Sequence, residues 1–359
     1  MNLYVSCFTS GVFLLLVGCG SGSSLVSISV PSIGTDTETV PDNSNTNPGT
    51  GGGGSSSPAP TTCPTHFIKV PANSSLGTAD FCLAKFEMKA SLNDGTAVFD
   101  GNNNGTPLDV SLHKPESRPD GIPWVRITLS QAAAECTSLG ADYHLSTVKE
   151  WQAAALNVES VASNWSGNSV GSGTIIRGHS DGAISASAVT DGYAVSTTVY
   201  LLGAKNATDP FGGTGQTSGN QKRTHTLSNG EIIWDMPGNA REIVDPNGSA
   251  VGVNYTGPTS SGFYEVLGTE LSSTISSLTF TSGSGGLSLA WFTPATTALN
   301  NTTHEIGRAY INSGARTDRM ITRGGNFSSG NSPGLFAVDF DSATTGTSSS
   351  ASFRCVKSL

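Results

Sequence analysis

Charge is scarce in this sequence: 13% of its 359 residues are charged, with 18 Lys and Arg against 27 Asp and Glu and a formal net charge of −9. The basic residues form no cluster, which removes the electrostatic footprint of a nucleic-acid binder and leaves a mildly acidic, polar surface. No apolar run reaches the roughly 20 residues that a helix needs to cross a bilayer. Cysteines at CxxC spacing are lacking, and the histidines His66, His113, His144, His179, His225 and His304 show no HExxH or paired spacing, so zinc chemistry lacks its ligand patterns. Most of these histidines are expected at the surface or in turns.

What is present begins with a short apolar run, Val12-Phe13-Leu14-Leu15-Leu16-Val17, long enough for a signal-peptide core. It leads into Leu16-Val17-Gly18-Cys19, which resembles the lipobox of bacterial lipoproteins, although no Lys or Arg precedes the core. The resemblance implies removal of residues 1–18 and lipid on the Cys19 thiol. Residues 19–62 are rich in Ser, Gly, Thr, Asn and Pro, too poor in apolar surface to offset ordering entropy, and are expected to form a flexible tether. Gly20, in place of Asp, resembles outer-membrane sorting in a two-membrane bacterium. The expected location is therefore the cell envelope, lipid-anchored, at the outer membrane or cell surface.

Residues 63–359 are enough for one large domain, and no second long linker interrupts them. Cys63, Cys82, Cys136 and Cys355 remain after processing, an even number that suggests two disulfides with three pairings open. Phe67-Ile68-Lys69-Val70 and the stretch Phe81-Cys82-Leu83-Ala84-Lys85-Phe86-Glu87-Met88 alternate and predict an opening hairpin, which a Cys63 to Cys82 bridge would staple. Pro123-Trp124-Val125-Arg126-Ile127 predicts another strand. Ser130 is expected to cap a helix over 131–139 with Gly140 past its end, and Thr147 with Glu150 forms the capping box of a second helix. Residues 160–226 and 246–316 predict long ordered loops, because Trp165 and Trp291 are costly to leave in water. Met320-Ile321-Thr322-Arg323-Gly324-Gly325 predicts a strand entering a glycine turn, and Ser352-Phe353-Arg354-Cys355-Val356 a last strand.

The densest chemistry lies in Trp234-Asp235-Met236-Pro237-Gly238-Asn239-Ala240-Arg241-Glu242, preceded by the turn Asn229-Gly230. Its two carboxylates and several carbonyls crowd onto one corner. Asp235 and Glu242 could share a hard cation there, since calcium takes oxygen ligands; otherwise they cap turns or pair with Arg241.

The ordered set of opening hairpin, helix ending Ala134-Glu135-Cys136, helix 144–155, this corner, Arg323-Gly324-Gly325-Asn326-Phe327 and Phe353-Arg354-Cys355-Val356 resembles the formylglycine-generating enzyme family, or sulfatase-modifying factor domains. That resemblance implies an α+β domain with a C-type lectin-like fold, little regular secondary structure and long loops. It implies calcium held by the Asp235 and Glu242 side chains with the Gly238 and Ala240 carbonyls, and a Cys136 to Cys355 bridge from the first helix to the last strand. Catalytic members oxidise a substrate cysteine through a copper-binding cysteine pair. Ser329 and Gly334 stand at those positions here, so copper is not expected.

Gly330-Asn331-Ser332-Pro333-Gly334 matches a hydrolase nucleophile elbow by pattern only, because Pro333 lacks the N–H that an oxyanion hole would use. The polar segment with interspersed aromatics, containing Asn326, Phe327, Ser329, Asn331 and Phe336, is instead expected to form a ligand surface. The leading expectation is a noncatalytic module binding a protein or glycan while the lipid holds it at the membrane. A divergent formylglycine-generating oxidoreductase and a structural envelope lipoprotein are the alternatives.

Overall fold

A computed structural model describes residues 62–98, 100–101, 105–180, 222–267, 270–271, 278–281, 287–296, 298–329 and 332–359. The expected leader, Cys19, residues 19–61 of the tether and Asn331 lie outside the described residues. The architecture is mixed α+β: mostly short strands, few helices, and no barrel among the described residues.

One sheet joins the two ends of the domain in the order β1 (Phe67–Val70), β2 (Phe81–Ala84), β19 (Cys355–Ser358), β6 (Tyr143–Leu145). The expected opening hairpin is present, with Phe67 opposite Ala84 and Val70 opposite Phe81. Its second strand stops at Ala84, however. The chain turns at Lys85 and Phe86, and β3 (Met88–Leu92) joins a separate three-stranded sheet with β4 (Ala97–Val98) and β5 (His113–Ser117).

The larger sheet runs β12 (Glu270–Leu271), β11 (Gly262–Leu267), β14 (Arg308–Ile311), β17 (Val338–Asp339), β16 (Ile321–Arg323), β9 (Arg241–Val244), β18 (Ala351–Phe353). The expected last strand is thus two: β18 pairs with β9, and after the single residue Arg354 the chain enters the other sheet as β19. A fourth sheet contains β13 (Thr279–Phe280), β10 (Val253–Gly257) and β15 (Gly314–Arg319), and a two-stranded hairpin pairs β7 (Thr224–Thr226) with β8 (Ile232–Trp234). Asn229-Gly230 makes its turn, with Gly230 at φ 86°.

Helix α1 (Leu129–Ser138) starts two residues earlier than Ser130 would place it. Thr128 is the N-cap, and its side chain and that of Gln131 exchange bonds with each other's backbone, the same capping-box grammar that Thr147 and Glu150 use for α2 (Val148–Glu159). A four-residue helix, α3 (Asn301–His304), precedes β14. Pro123 to Ile127 is not a strand. Its Trp124, Val125 and Ile127 are buried, but Arg126 takes φ 60°, which breaks an extended run.

Two apolar clusters form the core. One gathers Trp151, Ala154 and Val158 of α2 with Trp165, Phe292, Phe336 and Phe340; the other gathers Trp124, Met88 and Phe353 around α1. Trp165 is buried as its size demands, and Trp291 is half-buried with the Lys149 ammonium 4.5 Å from its ring centroid.

Both disulfides form, Cys63 to Cys82 and Cys136 to Cys355, across sequence separations of 19 and 219. By loop-closure entropy the long bridge contributes roughly 5 kcal/mol and the short one roughly 3 kcal/mol. Replacing Cys136 and Cys355 together by Ala should therefore lower the denaturant midpoint more than replacing Cys63 and Cys82. The reverse order in urea titrations would show that loop closure is not the source of the long bridge's contribution.

Candidate functional site

The larger sheet has two chemically distinct faces. Residues directly opposed across adjacent strands share a face. The row Phe263, Tyr310, Asp339, Thr322 runs across β11, β14, β17 and β16 on one of them. Arg308 opposes Glu265 on that same face, and Arg241 lies on it two residues before Ile243, the partner of Thr322. The opposite row, Tyr264, Ala309, Val338, Arg323 and Glu242, points into the interior.

On the first face these side chains and the loop after Gly325 enclose a cavity of about 480 Å³, lined among others by Asn326, Ser328, Ser329 and Ser332. That volume falls within the range of small-molecule sites. Phe263 stands 57% exposed at its rim, edge to face with Tyr310 at 4.9 Å between centroids. Arg241 Nη1 lies 2.6 Å from Asp339 Oδ2, and Arg308 Nε 3.0 Å from Glu265 Oε1. Burial pushes the Asp339 carboxyl up and the Arg241 guanidinium opposes it. Asn326 Oδ1 accepts from the Ser328 N–H at 2.8 Å, from Ser328 Oγ at 2.8 Å and from Ser329 Oγ at 3.0 Å, which folds the loop back on itself.

Of the expected ligand surface, Asn326 and Ser329 line this cavity and Phe327 is half-buried beside it, its N–H donating to the Asn239 carbonyl. Phe336 is a correction. It is fully buried in the core: 335–338 is buried throughout, and at β17 Val338 and Phe340 turn inward on either side of Asp339. The same alternation turns Asp339 outward, and Asp341 lines the cavity with it. Phe263, Tyr310, Arg241, Arg308, Asp339 and Asp341 were not singled out from the sequence. The signal that could have found them is the period of two in Phe263-Tyr264-Glu265 and Val338-Asp339-Phe340-Asp341.

Behind the sheet, the Asp235 to Glu242 corner is built from buried charge. Arg223 holds Asp235 with two bonds of 2.6 Å, and Arg354 Nε donates to Glu242 Oε1 at 2.6 Å while Trp151 Nε1 donates to Oε2 at 2.9 Å. Burial raises the Asp235 carboxyl, but the Arg223 charge and its bonds outweigh that and leave it below its ordinary range; burial wins for Glu242, which is raised against Arg354.

Glu87 accepts from the Ala240 N–H at 2.8 Å and from the Asn239 amide, and burial, with the Asp235 charge added, pushes it up to about 8. Lys89, equally buried, is pushed down to about 8. Arg323 is fully buried with its guanidinium 4.4 Å from the Trp151 ring, Nη2 donating to Gln152 Oε1 at 3.0 Å, and burial lowers it to about 9.

This donor set does not fit calcium as it stands. Both carboxylates are bound by guanidinium groups, so an ion could take them only by displacing Arg223 and Arg354. Arg241 is not their partner either, since it reaches Asp339 on the opposite face.

No family model matches the chain, and no curated protein matches it. The site therefore stands on its geometry. Ser329 sits in the wall of the cavity, whereas a Cβ at Gly334 would overlap the Gly307 nitrogen and the Ile306 carbonyl carbon. Gly324, at φ 84°, brings its backbone so close to the corner that a Cβ would lie 2.6 Å from the Met236 oxygen.

His225 and His179 are buried, contrary to a surface placement. Burial lowers His225 to about 4, and its Nε2 lies 3.0 Å from the Ile176 carbonyl.

Two outcomes follow for this region. Asp235→Asn leaves Arg223 buried opposite a neutral group and should cost about 3–5 kcal/mol, equally in calcium and in chelator. A loss seen in calcium alone would identify the ion, not Arg223, as the partner of Asp235. His225 has a folded value depressed below its unfolded value near 6.5, so its contribution is present above about pH 6.5 and is lost as pH falls toward 4, by at most about 3 kcal/mol. His225→Gln should flatten the stability profile in that window in urea titrations; an unchanged slope would remove His225 from the acid response.

Proposed function

We propose that this is a lipid-anchored envelope protein whose domain from Cys63 onward binds a ligand in the cavity between Phe263 and Ser329 and performs no chemistry on it. The observation that carries this is the cavity itself. It is walled by hydroxyls, an amide, ion pairs and aromatic rings, and it contains no cysteine. Each described cysteine is tied in a disulfide, so no thiolate is on hand for copper(I), and Gly334 leaves no room for a side chain where the resemblance would put the second thiol.

The finer fold, the C-type lectin-like arrangement of the formylglycine-generating enzyme family, is part of the same proposal. Support comes from the pairing of the first strands with the last in one sheet and from the bridge between α1 and β19. The partner would be a protein or glycan presented at the cell surface, and the membrane is reached through Cys19 lipid.

The test is a combined glycan and peptide array probed with the full chain and with Ser328→Trp, which would fill the cavity mouth. Binding by the unaltered chain that the tryptophan abolishes is the expected result. Silence on both arrays would favour a structural envelope role, and conversion of a sulfatase-type cysteine peptide to its aldehyde with copper and oxygen would restore the enzyme reading.

A further inference from the structure

We infer that the cavity takes a neutral sugar ring, with Phe263 and Tyr310 as the surface on which the ring lies and Thr322, Arg241 and Asp339 as the groups that read its hydroxyls. This rests on the proposal that the cavity is a ligand site, and it names the class of ligand.

The charge pattern excludes anions first. The cavity wall carries two arginines, Arg241 and Arg308, and two aspartates, Asp339 and Asp341. Arg241 is paired with Asp339, Arg308 with Glu265, and Asp341 accepts from the Asn312 amide. An anionic ligand would be stripped of water without gaining an uncommitted cation, because both arginines are already held by carboxylates, and this is costly. A neutral ligand meets no such penalty.

Hydrogen-bonding capacity then narrows the neutral classes. Thr322 is 2% exposed and lines the cavity, yet its Oγ1 has no hydrogen-bond partner among the described residues, and neither has the buried Nε of Arg241. Buried polar atoms are rarely left in this state unless something else completes them. Asp339 is acceptor-only when ionised, Arg241 donor-only, and a threonine hydroxyl does both. The group that can serve all three is one that donates and accepts from the same atom, which is a hydroxyl. Several hydroxyls on one small rigid frame describe a sugar, whereas a peptide backbone offers its donors and acceptors on separate atoms spaced along an extended chain.

The aromatic rim supplies the remaining contact. Phe263 is a large apolar side chain left 57% exposed beside a polar cavity, held by Tyr310 directly across the strand pair. An aromatic face is electron-rich and attracts the weakly positive C–H groups on one side of a sugar ring. The ring's hydroxyl edge would then be left for Thr322 and Asp339, which continue the same row across the sheet.

The experiment is saturation-transfer NMR on the full chain with the methyl pyranosides of glucose, galactose and mannose, and with glucuronate and N-acetylneuraminate as charged counterparts, followed by calorimetric titration of any that respond. Transfer to ring C–H protons of at least one neutral pyranoside is expected. Phe263→Ala should weaken it by about tenfold or more, equivalent to ~1.4 kcal/mol.

Thr322→Val should weaken binding without lowering the thermal midpoint, because a methyl replaces an unpaired hydroxyl; a purely structural Thr322 would leave affinity unmoved. Val251→Ala, an exposed valine outside the cavity lining, should bind as the unaltered chain does. Binding that ignores both Phe263→Ala and Thr322→Val, or a preference for the charged sugars, would overturn the inference. If no pyranoside responds but an array peptide still binds and Ser328→Trp blocks it, the sugar class fails while the ligand site stands. If neither binds, both fail.

Discussion

The structure turns on one guanidinium. Arg354 is the single residue between β18 in the larger sheet and β19 in the sheet that closes the domain ends, and it is fully buried. Its Nε holds Glu242 of β9, Nη1 reaches the Ala84 carbonyl of β2 at 3.0 Å, and Nη2 reaches the carbonyls of Trp234, the last residue of β8, and of Asp235 after it. Glu242 in turn takes the Trp151 indole of α2. Two sheets, a hairpin and a helix are thus fixed to one side chain by charge-assisted bonds in a dry interior, where an unpaired partner would be costly. The rigidity of the larger sheet, and so of the cavity on its other face, follows from that junction.

The division of labour between faces explains why so polar a sheet can be stable. Inward, β16 and β9 bury Arg323 and Glu242 under Trp151 and Arg354, so alternate positions of these strands are committed to the interior. Outward, the intervening positions carry Thr322 and Arg241 into the cavity. A one-residue slip of either strand would exchange the two sets, placing a cavity arginine in the core and a core guanidinium in water, so register and cavity lining are specified by the same alternation.

Local grammar was legible in the sequence and long-range pairing was not. Thr147 and Glu150 announce α2 because a capping box is complete within four residues. Thr128 and Gln131 use the identical code for α1, but Ser130 offered a competing cap two residues later and drew the boundary inward. Pro123 to Ile127 has strand-like alternation, yet the apolar side chains fill a gap beside α1 while the backbone bends at Arg126.

At the corner, the two carboxylates were recognised as special, but their partners Arg223 and Arg354 are 12 and 112 residues away, which no local pattern encodes. Of the residues expected on a ligand surface, Asn326 and Ser329 line the cavity, and Phe336 is buried instead because an aromatic in a polar run has no mark that tells the inner from the outer face. Phe263 and Tyr310 needed the sheet order, since they meet only once β11 lies beside β14.

The Cys63 to Cys82 bridge has a mechanical consequence. β1 is the outermost strand of its sheet, whereas Cys82 belongs to β2, which is flanked on both sides by β1 and β19. A pull applied through the backbone ahead of Cys63 therefore passes across sulfur into an interior strand and bypasses the edge, where hydrogen bonds could be unzipped one after another. Under tension the load would thus enter the sheet through a strand supported on both sides.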